Sequence, residues 1–128
     1  MEGPGPENFG IVDIRWEVQG CCATMRVAGE IDLSNVGVFA RYLSELGQSQ
    51  AGHLLVECSQ LSFIDSTGLK ALIEAWKEFD GRAALVAPSL SFQKLIEIAG
   101  VAELLTAFDT MNTAMASIHG ASPEKRGA

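Results

Sequence analysis

The apolar strand pattern of Leu61-Ser62-Phe63-Ile64 ends abruptly in Asp65-Ser66-Thr67-Gly68-Leu69: an acid, two hydroxyls and a glycine. Asp65, Ser66 and Thr67 can each accept hydrogen bonds from the unpaired N–H groups that open a helix. Leu69, Leu72, Ile73, Trp76 and Phe79 follow at helical spacing. Ser66 is therefore expected at or beside a helix N-terminus, where unpaired amides and the helix dipole favour an added negative charge such as a phosphate. The plainer alternative is that Ser66 or Thr67 is only a helix cap.

Catalysis fits these residues less well. An activated serine needs a base and a group to orient it, and no Gly-x-Ser-x-Gly elbow is present. His53 precedes a core strand in an exposed-looking turn, and His119 lies next to the C-terminal tail. Glu30 and Asp32 form a carboxylate pair, but in an expected turn, where solvated acids are ordinary. No glycine-rich phosphate loop occurs, since Gly68-Leu69-Lys70 has no glycines upstream. The three cysteines, Cys21, Cys22 and Cys58, include an adjacent pair that would be strained as a disulfide. Neither they nor the isolated histidines have metal-ligand spacing, so buried thiols and no metal or cofactor are expected.

The chain has 128 residues, 48% of them hydrophobic and 20% charged, which suits one globular domain. Its formal net charge of −7 argues against direct nucleic-acid binding or an anionic membrane surface. No apolar run approaches the roughly 20 residues needed to span a bilayer, and the N-terminus lacks the pattern of a secretory signal. A cytoplasmic location is expected. Residues 1–8 and 120–128 read as mobile ends around a domain at 9–119.

Within that domain, Ile11 to Val18 and Ala23 to Ala28 alternate as strands of an antiparallel hairpin, the second ended by Gly29. Ser34 or Asn35 can cap a helix carrying Val36, Phe39, Ala40, Leu43 and Leu46. Leu54 to Cys58 and Ala83 to Ala87 read as parallel core strands, joined by the helix from Ser66 to about Phe79. A helix from Ser91 to Ala99, a strand from Leu104 to Phe108 and a helix from Thr110 to Ile118 complete the pattern. Met111, Ala114, Met115 and Ile118 of that last helix are expected to face inward. The alternation gives an α/β fold, a mixed four- to five-stranded sheet with helices mainly on one face.

Asp65-Ser66-Thr67-Gly68-Leu69 behind a hydrophobic strand resembles the phosphorylation segment of the STAS domain family, specifically its bacterial anti-sigma factor antagonists. Gly29-Glu30-Ile31-Asp32 resembles the family's Gly-Glu-Leu-Asp turn, and Leu54-Leu55-Val56-Glu57 its central strand. Pro88-Ser89 leading into Phe92, Leu95, Ile96 and Gly100 is similar to its third helix, and Phe108-Asp109 to the start of the last one. The resemblance covers most of the chain and implies a STAS-like single domain with Ser66 as phosphoacceptor. It implies a non-enzymatic antagonist that binds, while unphosphorylated, an anti-sigma factor with serine kinase activity; phosphorylation of Ser66 ends the binding.

The docking face would comprise Glu30, Asp32, Ser34, Asp65, Ser66, Thr67, Gly68 and Leu69, with Glu30 and Asp32 offering acidic contacts. Asp65 would orient Ser66 or receive its proton, or else serve only as a carboxylate at the helix start. A monomer or weak dimer is expected. The alternatives are a STAS subunit docking on a transporter ATPase or stressosome scaffold, and a STAS domain sensing a nucleotide or small molecule.

Overall fold

The computed structural model describes residues 7–8 and 12–118, and its strands lie side by side in sequence order in one sheet. They are β1 (Glu7–Asn8), β2 (Val12–Gln19), β3 (Cys22–Ile31), β4 (His53–Ile64), β5 (Ala83–Val86) and β6 (Ala107–Phe108). β1, β2 and β3 pair antiparallel; β3 to β6 pair parallel. The parallel steps need crossovers, which contain α1 (Val36–Gly47), α2 (Ser66–Glu78) and α3 (Leu90–Ala99). The chain closes on α4 (Met111–Ile118). The expected mixed sheet is thus present, and β1 adds a two-residue pairing within the stretch expected to be mobile. Residues 1–6, Ile11, His119 and the tail at 120–128 lie outside the described residues.

The core follows from side-chain periodicity. Phe39, Leu43 and Leu46 of α1 and Leu69, Leu72 and Trp76 of α2 repeat at helical spacing. They pack with Phe92 and Ile96 of α3 on one face of the sheet, against Ile14, Met25, Val27, Leu54, Val56 and Leu85. Removing that apolar surface from water supplies the main drive to fold, about 25 cal/mol per Å². On the other face a smaller cluster of Cys22, Leu55, Ala84 and Val86 is covered by Ala114 of α4, with Phe108, Met111, Met115 and Ile118 packed around it. Three helices therefore cover one face and one the other.

Three strand ends differ from the sequence expectation. β3 continues through Gly29 to Ile31, because Gly29 at φ 100° and register shifts beside it bend the strand without ending it. β4 runs on past Cys58 to Ile64 with Ser62 bulged out of register, since Leu61 pairs with Gly29 and Phe63 with Glu30. The last strand shortens to Ala107–Phe108, because Val101 to Leu105 close a turn through Leu104 N–H to Val101 O at 2.9 Å.

Candidate functional site

β3 and β4 are parallel neighbours that end together at Ile31 and Ile64, so the turns that follow leave the same edge of the sheet. Asp65 N–H donates to Ile31 O at 3.2 Å, tying the second turn to the first. Asp65 is extended, at φ −98° and ψ −174°, and its Oδ1 accepts Thr67 N–H at 3.0 Å and Gly68 N–H at 3.2 Å. The Thr67 hydroxyl donates to the same oxygen. The cap of α2 is therefore Asp65, rather than Ser66 or Thr67, and Ser66 is the first helical residue. Its side chain is exposed, and among the described residues its hydroxyl makes no hydrogen bond.

The turn after β3 repeats this construction. Asp32 Oδ1 accepts Ser34 N–H at 2.9 Å and also the Ser34 hydroxyl. Buried Asn35, 6% exposed, holds the turn from beneath: its Oδ1 accepts Asp32 N–H at 3.0 Å, and its Nδ2 donates to Glu30 O at 2.9 Å. Neither Ser34 nor Asn35 caps α1 through its side chain, as the sequence had suggested; Asn35 occupies the cap position but spends both polar ends on the turn. In each turn an aspartate grips the residue two places on, and the residue between points outward. Those between are Leu33 and Ser66.

The Thr67 hydroxyl does most to hold the Asp65 carboxyl below its usual value; partial burial opposes this, and the N–H groups of Gly68, Thr67 and Leu33 reinforce it. Asp65 is thus an ionised clamp at neutral pH. Of the residues expected at the face, Glu30, Ser34 and Ser66 are exposed, and Asp32, Asp65 and Thr67 are partly buried. Glu30 belongs to β3, not to a turn. Gly68 and Leu69 are buried, so they hold α2 against the sheet and present nothing to a partner. A Cβ on Gly68 would lie 2.6 Å from Ile64 Cγ1 and 2.8 Å from Ile31 Cγ2, which is why this turn of helix needs glycine.

Two exposed apolar side chains escape the sequence reading: Leu33, 76% exposed, and Phe63, 50% exposed. Phe63 sits opposite Glu30 and lines a cleft of about 200 Å³ with Leu61, Ile64, Phe92 and Leu95. The bulge at Ser62 explains Phe63, since strict alternation would have put it inside with Leu61.

His53 begins β4 whereas Ser66 follows its end, roughly 35 Å away at about 3.3 Å of rise per residue, so it cannot act on Ser66. Cys21 is exposed, and Cys22 and Cys58 are buried. Burial pushes the Cys58 thiol up to about 12, and also raises Cys22. Among the described residues no group of His, Cys, Asp and Glu could hold a metal ion, and no helix is long and apolar enough to cross a membrane.

A solved anti-sigma factor antagonist from Mycobacterium paratuberculosis superposes with a TM-score of 0.78 at 18% identity, over 85% of this chain and 95% of that one. The anti-sigma factor antagonist SpoIIAA in its unphosphorylated form gives 0.72 at 21% identity, over 86% and 99%. The murine Solute Carrier 26 family member A9 anion transporter gives 0.65 at 18% identity, over 79% of this chain but 19% of the transporter. At such identities the likeness is one of fold. No curated protein matches the chain in sequence. The family model for the STAS domain, however, matches residues 13–114, most of the chain. With β3 to β6, the crossover helices and the Asp65 turn all falling inside that span, the chain belongs to the STAS domain family.

Proposed function

We propose that this chain is an anti-sigma factor antagonist, non-catalytic and cytoplasmic. Unphosphorylated, it captures an anti-sigma factor that is also a serine kinase; phosphorylation of Ser66 ends the capture. One observation carries this reading. Three hydroxyls lie on the paired turns, and those of Ser34 and Thr67 are held by Asp32 and Asp65, whereas that of Ser66 is exposed and unengaged. The similar structures support it: two are anti-sigma factor antagonists, and one of these, SpoIIAA, is solved in both an unphosphorylated and a phosphorylated form.

In the reaction Ser66 Oγ bonds to the γ-phosphorus of ATP, the bond to the ADP oxygen breaks, and the serine proton leaves to a base. The bonds to Asp65 Oδ1 hold its carboxyl below the usual value, which makes it a weak proton acceptor; in this reading Asp65 positions the helix start and the base belongs to the kinase. The product carries about −1.5 to −2 charges at the N-terminus of α2, where the helix stabilises them and a partner pressed on the same turn is repelled.

The test is incubation with ATP and the kinase, followed by fragment mass spectrometry and titration of variants. Phosphate is expected on Ser66. Ser66→Ala should keep the partner bound, and Ser66→Asp should weaken binding at least about tenfold, or about 1.4 kcal/mol, with the fold intact. Phosphate on Thr67 alone, or equal affinities for the two variants, would overturn the reading. A second reading, a STAS module docked on a transporter, is favoured only by the anion-transporter neighbour; it expects co-purification with a membrane complex and no dependence on Ser66.

A further inference from the structure

The paired turns offer a leucine in the place that answers to the acceptor serine. Leu33 follows Asp32 as Ser66 follows Asp65, and both face outward while the hydroxyl residue behind each is tied down. We propose that Leu33 is a specificity-determining contact: the kinase that takes Ser66 seats Leu33 in an apolar recess beside its phosphate-transfer site. This rests on the reading of Ser66 as the acceptor.

The geometry supplies the argument. Asp65 N–H bonds Ile31 O at 3.2 Å where the parallel strands β3 and β4 end together, so the turns that carry Leu33 and Ser66 leave the same edge of the sheet side by side, and a protein surface that closes over the Ser66 hydroxyl also meets Leu33. The leucine is 76% exposed, yet the turn that carries it is fixed on either side, by Ser34 N–H to Asp32 Oδ1 and by Asp32 N–H to Asn35 Oδ1. An exposed apolar side chain on a rigid backbone loses little freedom on docking, which makes it an efficient anchor. Phe63, half-exposed opposite Glu30, is a second apolar side chain at this end of the two strands and lines the cleft beside α3. Of the acids expected to offer contacts, Asp32 is partly buried with its Oδ1 on Ser34, whereas Glu30 is exposed at the end of β3. In the place next to the acceptor turn that answers to Ser66, the side chain offered is the apolar Leu33.

The test compares wild type, Leu33→Ser and Leu33→Met with the purified kinase that modifies the wild-type chain, measuring Kd by titration and KM and kcat for phosphorylation of Ser66. Leu33→Ser is expected to weaken binding at least about tenfold. Its KM should rise correspondingly with kcat unchanged, and Leu33→Met should restore both. Circular dichroism and Tm should be those of wild type, because the leucine touches little within the chain. Wild-type Kd and KM for Leu33→Ser, with wild type itself bound and phosphorylated, would overturn this inference and leave the Ser66 reading standing. A fall in kcat alone would also overturn it, since that would make Leu33 an alignment residue. If no serine kinase anti-sigma factor binds or phosphorylates wild type, the Ser66 reading fails and this inference falls with it.

Discussion

Three donors converge on Asp65 Oδ1, and that single oxygen sets the character of the site. Asp65 caps α2, removes Thr67 from competition as an acceptor and leaves Ser66 alone with a hydroxyl to give. Its carboxyl is held below the usual range, so the folded state binds its proton more weakly than the unfolded chain, where the value is about 3.9. The ionised carboxylate therefore contributes stability above about pH 4, and that contribution is lost as pH falls through the folded value. Asp65→Asn keeps an acceptor oxygen but no charge. The Tm of wild type should exceed that of Asp65→Asn by a constant margin from pH 8 to 5 and by a shrinking one toward pH 3. A margin that persists at pH 3 would show that shape, not charge, is what Asp65 supplies. The thiols divide as sharply. With the Cys58 thiol at about 12, its thiolate fraction at pH 8 is only about one in ten thousand, and the side chain is buried besides. One equivalent of iodoacetamide should label the native protein quickly, at Cys21. Rapid labelling of Cys22 or Cys58 would mean that the sheet opens on the labelling timescale.

At the scale of elements, the start of α2 is the tightest junction. Gly68→Ala would gain roughly 1 kcal/mol of helix propensity but force a methyl into Ile64 and Ile31, an overpacking cost of about 1–3 kcal/mol. Urea unfolding should show a net loss of stability; a gain would mean that the two isoleucines swing aside. The helices and core strands were legible because their apolar residues recur at the helical and strand periods. Phe39, Leu43 and Leu46 could face inward together only on a helix, and Met111, Ala114, Met115 and Ile118 do line the inner side of α4 as expected. Ser66 at the mouth of α2 was legible for a similar reason: an acid and two hydroxyls before a helical pattern mark its start. What the pattern concealed depends on tertiary pairing. Gly29 bends β3 rather than ending it only because β4 lies alongside with Ser62 bulged out, and the same bulge turns Phe63 to solvent. Asn35 looked like a cap because side-chain caps and turn staples use the same residue types, and only the position of Glu30 O beneath it decides between them.

The whole molecule is a sheet with unequal faces, and the proposed switch stands on the stronger part. Both turns of the proposed site spring from β3 and β4, the longest strands, paired along nearly their whole length and buried against α1, α2 and α3. α4 is held differently. It has eight residues, of which Ala114 alone is fully buried, over a patch formed by Cys22, Leu55, Ala84 and Val86. A helix that short is not stable by itself, so it persists only while that small contact does. Local opening should then be graded: amides of α4 should exchange hydrogen at a much lower free energy than those of Leu54 to Val56 in β4. Two truncations separate the layers. Met115→Ala should speed exchange within α4 and leave β4 unchanged. Leu72→Ala, which empties a side chain 1% exposed in the main core, should lower the protection of β4 by about 2–5 kcal/mol. In neither case should exchange at Asp65 to Gly68 rise with that of α4, because these residues are tied to Ile31 and not to the smaller core. Uniform exchange across the molecule, or opening of the Asp65 turn together with α4 in Met115→Ala, would show that the two faces fold as one unit and that the switch end has no stability of its own.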